Sequence, residues 1–179
     1  MNTFLIRAIV SFLFILFVVR VAAADKVEIP IHKTSTTGQG EKIGNVIAED
    51  TPYGLLLTPS LKGLPPGPHG FHIHQNPDCS PKEEEGKMVP GLCAGGHYDP
   101  ANTGKHLGPY QYQKGHLGDL PVLLVDSKGE ANTPLLAPRI SVSDLKGRSL
   151  MIHAGGDNYS DIPQKLGGGG ARIACGIVP

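Results

Sequence analysis

Histidines are concentrated in one part of this 179-residue chain, and that concentration is the strongest constraint on its fold. Six of the eight histidines lie between positions 69 and 119, and Asp119 ends the stretch three residues after His116. Histidine and acidic side chains at this density are typical of metal binding. The sequence therefore predicts a metal site, and a fold that brings these side chains together.

The mature part of the sequence indicates a β fold, because short alternating segments recur between glycine- and proline-containing turns. Val27, Ile29 and Ile31 alternate with polar residues and proline, which is the pattern of a half-buried strand. No stretch keeps a helical apolar period over three turns. We predict an antiparallel sandwich or barrel. The eight predicted strands are 26–32, 42–49, 54–59, 71–74, 121–126, 130–136, 149–153 and 172–178.

Two long segments do not fit the strand pattern. Residues 76–118 contain three of the eight histidines and no convincing strand, and residues 154–170 are rich in glycine and equally irregular. Long loops inside a compact domain are usually functional or disordered. We expect both segments to be functional loops that metal and a disulfide hold in order.

Histidines on two predicted strands form a first candidate ligand set. His72 and His74 flank Ile73 on a predicted strand, so both imidazoles point to the same face, with backbones roughly 6.6 Å apart. An H-x-H motif is a weak signal by itself. His153 ends another apolar strand and offers a third nitrogen.

The first long loop and its end supply a second candidate ligand set. Three imidazoles and one carboxylate suit a closed tetrahedral zinc site, whereas an all-nitrogen set with an open position suits Cu(II) better. The loop thus offers sites for two kinds of ion in adjacent positions. The members of the second set are His97, His106, His116 and Asp119.

Residues 1–24 have the composition of a secretory signal. Arg7 forms a short positive region, residues 8–19 are an apolar run, and three alanines precede the expected start of the mature chain. A membrane helix needs about 20 apolar residues, and Arg20 interrupts this run. We therefore predict an exported protein, with one domain at 25–179 and no membrane attachment once the signal is removed.

The charge and the cysteines of the mature chain restrict its partners and its compartment. Without the two arginines of the signal, 14 basic and 16 acidic residues remain, a net charge of −2, and nothing indicates a nucleic-acid or membrane-surface partner. An exported chain enters an oxidising compartment, in which cysteines form disulfides. Cys79, Cys93 and Cys175 are present, so one cysteine must remain unpaired.

Five segments, in order along the mature chain, resemble the copper/zinc superoxide dismutases in their secreted bacterial form. The resemblance implies an immunoglobulin-like, eight-stranded antiparallel Greek-key β-barrel with two long functional loops. It also implies dismutation of superoxide to oxygen and hydrogen peroxide by copper that alternates between Cu(II) and Cu(I), most often in the periplasm. The segments are GPHGFHIH (67–74), AGGHYDP (94–100), GKHLGP (104–109), HLGDLP (116–121) and GGGARIACGI (168–177).

The resemblance also implies residue roles, with one copper and one zinc in each subunit. His97 would bridge the two ions as an imidazolate, and it would act in catalysis together with Arg172, which would attract the anionic substrate. Asp157 would join a copper ligand to a zinc ligand, and Cys79 would pair with Cys175. The implied copper ligands are His72, His74, His97 and His153. The implied zinc ligands are His97, His106, His116 and Asp119.

Some features are expected to lie outside the chemistry. We expect His69 to bond backbone atoms and bind no metal, His32 to be solvated, and Cys93 to be a small hydrophobic residue. We expect 82–87 to be a solvated turn. Tyr110 and Tyr112 lie where an aromatic patch could form a subunit interface, and the sequence leaves both a monomer and a homodimer open.

Two other functions fit parts of the pattern. A secreted protein of the same fold could hold copper and zinc without turnover, although it should then lack a copper ligand or Arg172, and all are present. A zinc hydrolase needs three protein ligands, an open water position and a general base. Asp119 as a fourth ligand argues against such an open site.

Overall fold

The computed structural model describes residues 25–112 and 114–179, so the predicted signal at 1–24 lies outside the described residues. None of the helical segments in this part of the chain has the length and hydropathy of a membrane span. The strands are β1 (Lys26–Ser35), β2 (Gly38–Thr51), β3 (Gly54–Lys62), β4 (Gly67–His69), β5 (Phe71–His74), β6 (Lys82–Glu84), β7 (Lys87–Val89), β8 (Leu123–Val125), β9 (Glu130–Ala131), β10 (Leu135–Ala137), β11 (Ser149–His153) and β12 (Arg172–Ile177). One short helix, α1 (Val142–Leu145), and 3₁₀ turns at Leu92–Ala94 and Lys165–Gly168 complete the elements.

Eight strands form one antiparallel sheet in the order β10-β3-β2-β1-β12-β11-β5, with β9 also paired to β3. The first three strands are sequential neighbours, whereas β1 pairs with the C-terminal β12 and β5 pairs with β11. Long connections that bring a late strand back beside an early one are characteristic of Greek-key topology. The prediction of an antiparallel all-β fold is confirmed.

The prediction of a strandless loop at 76–118 was wrong at one hairpin. β6 and β7 pair across a two-residue turn in which Glu85 and Gly86 both have positive φ, 51° and 77°. Such turns match the twist of a hairpin. The glutamates and lysines of this segment gave no strand signal in the sequence, because these residue types are depleted in sheets. The predicted strand at 130–136 is also two separate strands, β9 and β10.

The period of two along β5 places the metal ligands. All four of its residues are buried. Phe71 and Ile73 belong to the main hydrophobic core, so His72 and His74 point to the opposite face. That face is covered by the loop between β5 and β8 and by the loop between β11 and β12. The core therefore fixes the backbone of β5, while the two loops enclose its histidines.

A disulfide attaches the first loop to the last strand. Cys79 is bonded to Cys175 of β12, with their Cα atoms 5.8 Å apart, and the predicted pairing is confirmed. Cys93 is a free, half-buried thiol. The bond closes a sequence separation of 96 residues, which stabilises the fold by about 4–5 kcal/mol in the chain-entropy account.

Candidate metal centre

Four buried imidazoles form the first cluster, and their ligand atoms all lie within 4.8 Å of one another. Two of them come from β5 and one ends β11, and these strands pair directly. The Nε2 atoms of His74 and His153 face each other at 3.4 Å. Two nitrogens that converge in this way can share a cation. The members of the cluster are His72, His74, His97 and His153.

Backbone carbonyls orient two of these rings. His74 Nδ1 lies 2.9 Å from the oxygen of Gly95, and His153 Nδ1 lies 3.1 Å from the oxygen of Gly170. Because a carbonyl only accepts hydrogen bonds, each Nδ1 must carry the proton. Each Nε2 therefore keeps its lone pair for a metal ion, as in known metal sites whose ring orientation is set by an outer hydrogen bond.

Three imidazoles converge on one oxygen of Asp119 in the second cluster. The Nδ1 atoms of His97, His106 and His116 lie 2.9, 3.1 and 3.3 Å from Asp119 Oδ1. Ligands about 2.0 Å from a tetrahedral zinc ion are separated by about 3.3 Å. Within the described residues, His106 Nδ1 and His116 Nδ1 make no hydrogen bond, despite these short distances. Their lone pairs are thus free for an ion, and the donor set fits zinc.

His72 lies between the two clusters. A second group of ligand atoms within 4.8 Å of one another includes His72, together with His97, His106 and Asp119, and does not include His116. However, His72 Nε2 is 2.8 Å from a carboxylate oxygen of Asp157. Its Nδ1 is therefore the nitrogen available to an ion.

His97 contributes to both clusters through its two ring nitrogens. Nδ1 is directed at Asp119, while Nε2 is buried without a hydrogen-bond partner among the described residues. His97 also pairs with His74 in an isolated antiparallel bridge, which places it opposite β5. A ring in this position can hold one cation on each nitrogen.

Asp157, in the second loop, connects the clusters. Its carboxylate accepts from His72 Nε2 at 2.8 Å and from His106 Nε2 at 2.7 Å, and its side chain is not exposed. Burial alone would raise the pKa of Asp157, but these two histidines outweigh burial and lower it. Gly167 is required beside it, because a Cβ there would overlap the Asp157 carboxylate and φ is +69°.

The histidines of the first cluster are held neutral. Burial lowers the pKa of His72 and of His74 well below the ordinary value, and it lowers the pKa of His153 to about 4. In the second cluster, burial opposes the charge of His106, but its contacts with Asp119 and Asp157 raise its pKa to about 9. Without metal, His106 therefore keeps an extra proton near neutral pH, and a bound ion would displace it, because metal ions bind the neutral form of imidazole.

Arg172 lies beside the first cluster. Its backbone is paired with His153, and its guanidinium donates to the carbonyls of Gly91 and Gly95 at 2.6 and 2.7 Å. Gly95 is also the partner of His74 Nδ1. The cation is therefore fixed next to two imidazoles of the cluster, where it can attract a small anion.

A protein-family model described as copper/zinc superoxide dismutase matches residues 42–178. The chain belongs to this family. It is 59% identical over 157 residues to superoxide dismutase [Cu-Zn] 1 of Salmonella typhimurium strain 4/74. The aligned region covers 87% of this chain and 88% of the relative. The Pasteurella multocida superoxide dismutase [Cu-Zn] is 52% identical over 155 residues, 86% of this chain and 83% of the relative.

Solved structures of the family have the same fold. The copper/zinc superoxide dismutase of Brucella abortus has a TM-score of 0.84 and 47% identity, and the match covers 87% of this chain and all of that one. The solution structure of the monomeric Salmonella enterica enzyme gives 0.78 and 49%, with the same coverage. The expected Greek-key barrel is confirmed.

The remaining histidines lie outside both clusters. His69 is within 2.7 Å of the carbonyl oxygens of His153 and Pro65, so it contacts backbone, as expected. His32 lies 3.2 Å from the carbonyl of Gly40. The Cys93 thiol donates to the Pro81 carbonyl at 3.6 Å.

One contact residue was missed by the sequence interpretation. Arg139 donates to three carbonyls of the loop that carries His106 and His116. An arginine after a short strand has no local signal that distinguishes this position from a solvated one, because its partners lie more than twenty residues away.

Proposed function

We propose that this member of the copper/zinc superoxide dismutase family converts two superoxide anions and two protons into oxygen and hydrogen peroxide. The observation that carries the proposal is the placement of His97, whose two ring nitrogens face two separate donor sets. The proposed copper ligands are His72, His74, His97 and His153. The proposed zinc ligands are His97, His106, His116 and Asp119.

The donor types support this division. Four imidazole nitrogens suit copper, and three imidazoles with a carboxylate suit a closed zinc site. Bound copper supplies the one-electron chemistry, in which one superoxide is oxidised and a second is reduced. Asp119 as a fourth protein ligand beside the three imidazoles argues against the open zinc position of a hydrolase.

The side chains of the chain itself bind the anion and move the proton. Arg172, held by the carbonyls of Gly91 and Gly95, attracts superoxide to the copper set. His97 Nε2 takes up a proton in one half of the cycle and releases it in the other, while Nδ1 stays directed at Asp119. Asp157 keeps His72 and His106 in the tautomers that leave their Nδ1 atoms free.

The test is superoxide decay in a stopped-flow instrument with purified protein of measured copper and zinc content. We expect rapid decay for the loaded protein and none for His153→Ala, which should retain zinc. His32→Ala, a histidine outside both clusters, is the matched control and should retain activity. Loaded protein without turnover would instead support a protein that only holds the two metals.

We also propose that residues 1–24 direct export and are removed, and that the mature protein, residues 25–179, works in the bacterial periplasm. The disulfide supports an oxidising compartment, and the relatives are bacterial enzymes. The intact mass of protein released from the periplasm should correspond to a chain beginning at Asp25. Light scattering would decide between monomer and homodimer.

A further inference from the structure

Arg139 joins two points of the loop between His106 and His116. Its Nε donates to the carbonyl of Pro109 at 2.7 Å, and its Nη2 donates to the carbonyls of Gly108 and His116 at 3.0 and 2.7 Å. Hydrogen bonds from a charged donor are roughly twice as strong as neutral ones. The planar guanidinium can hold several acceptors in fixed directions. The ends of the loop are also joined by the bond from the His116 amide to the Lys105 carbonyl at 2.9 Å, and Arg139 adds three bonds from a cation outside the loop.

The position of Arg139 is itself fixed by the core. It lies two residues after β10, between Ala137 and Ile140, which are both buried in the main core. In the loop that it contacts, Tyr110 and Tyr112 are exposed, and none of the described residues from 106 to 116 belongs to the main core. The arginine thus connects a rigid segment to a loop with few core contacts of its own.

The contact leads directly to Asp119. The carbonyl of Gly108 accepts from Arg139, while the amide of Gly108 donates to Asp119 Oδ2 at 3.2 Å. The amide of Leu107 donates to the same oxygen at 3.3 Å. Because these amides hold Oδ2, Oδ1 is left facing the Nδ1 atoms of the three imidazoles. The carbonyl of His116, a proposed zinc ligand, is held as well.

We propose that Arg139 is a positioning residue that sets the zinc affinity by holding the 106–116 loop closed around Asp119. The inference rests on the proposed zinc site. Arg139 contacts no proposed ligand atom; it acts through the backbone of Gly108 and His116. Loss of outer contacts of this kind weakens metal binding by about 10–100-fold.

The experiment compares zinc affinity, by chelator competition, in wild type, Arg139→Gln and Arg139→Lys. We expect zinc affinity to fall about 10–100-fold in Arg139→Gln. It should fall less in Arg139→Lys, because lysine keeps the positive charge, although its one ammonium group cannot make all three bonds of the guanidinium. Cobalt placed in the zinc site should show an altered visible spectrum in Arg139→Gln, which a general loss of stability does not produce. If Arg139→Gln does not fold, the zinc affinity and the cobalt spectrum of Arg139→Lys are compared with those of wild type instead.

Ile140→Val is the matched control, because it removes a buried methyl from the neighbouring residue and keeps the guanidinium of Arg139. It should lower the unfolding temperature and keep the wild-type zinc affinity and cobalt spectrum. An unchanged zinc affinity in the Arg139 variants, or an equal loss in Ile140→Val, overturns the role of Arg139 alone. If Asp119→Ala binds zinc as tightly as wild type, the zinc site fails as well, and both proposals are overturned.

Discussion

Replacing Asp157 with asparagine should cost one of the two metal sites much of its affinity. The carboxylate accepts from the Nε2 atoms of both His72 and His106, at 2.8 and 2.7 Å. An amide has only one oxygen, so its NH₂ group must face one of the rings. That ring has to move its proton from Nε2 to Nδ1 to avoid two opposing donors. Its Nδ1 then no longer offers a lone pair to a metal.

The size of the effect follows from these contacts. Outer partners that fix ring tautomers are worth about 10–100-fold in metal affinity, which is about 1.4–2.7 kcal/mol. The affected ring should be visible by ¹⁵N NMR of the histidine side chains, and the affinity should be measured by chelator competition for copper and for zinc separately. The weakened metal identifies which histidine has changed tautomer.

Asp161→Asn is the matched control for Asp157→Asn. Asp161 is a nearby carboxylate that accepts from the backbone amides of His106 and Leu166. An asparagine whose oxygen faces His106 keeps the bond to that amide and loses only the bond to Leu166, so neither the ring nor the backbone of His106 is released. The control removes the same charge and should leave both affinities within a few-fold. If Asp157→Asn keeps wild-type affinity for both metals, or if the control loses as much, the tautomer argument is refuted.

Three further predictions concern the substrate, the disulfide and pH. Arg172→Ile with matched copper content should lower the low-salt rate of superoxide decay by about ten-fold and reduce its salt dependence, because steering by charge is screened; an unchanged rate contradicts the role of Arg172. Replacing Cys79 and Cys175 with alanine should lower the free energy of unfolding in urea by about 4–5 kcal/mol; a loss under 1 kcal/mol contradicts the estimate. In metal-free protein, burial lowers the pKa of His153 to about 4. The contribution of His153 to the free energy of unfolding is present above pH 6.5 and is lost as the pH falls from there toward 4, by roughly 3 kcal/mol. His106, with its pKa raised to about 9, has the opposite effect: its contribution to the free energy of unfolding is lost as the pH rises from 6.5 to 9. Urea unfolding should therefore show greatest stability near pH 6.5, and a steady rise toward pH 9 contradicts this.

The strands that support the site were predictable from local pattern. β5 alternates apolar and histidine residues, so the period of two by itself places His72 and His74 on one face. The hairpin β6–β7 was missed because its strands are charged and short, and its order comes from the turn at Glu85 and Gly86. Local pattern thus identifies strands that carry buried apolar residues, and it fails for β6 and β7, whose residues are mostly charged or exposed.

The second cluster could be predicted only as a set of residue types. Spacing along the loop does not show that three Nδ1 atoms meet at Asp119, since the loop closes through long-range contacts such as those of Arg139 and the disulfide of Cys79. The partners of Asp157 were implied by the family resemblance, and no local signal distinguishes this aspartate from a solvated one. Contacts between loops that are distant in sequence could not be predicted, because local sequence pattern gives no signal for them.

We propose that His97 holds copper on one ring nitrogen and zinc on the other. X-ray diffraction from crystals of the loaded protein, with anomalous data on both sides of the copper and zinc absorption edges, tests it directly. The prediction is a copper peak adjacent to His97 Nε2 and a zinc peak adjacent to Nδ1, with Asp119 at the zinc. A single metal peak, or two peaks that do not share His97, would contradict the account.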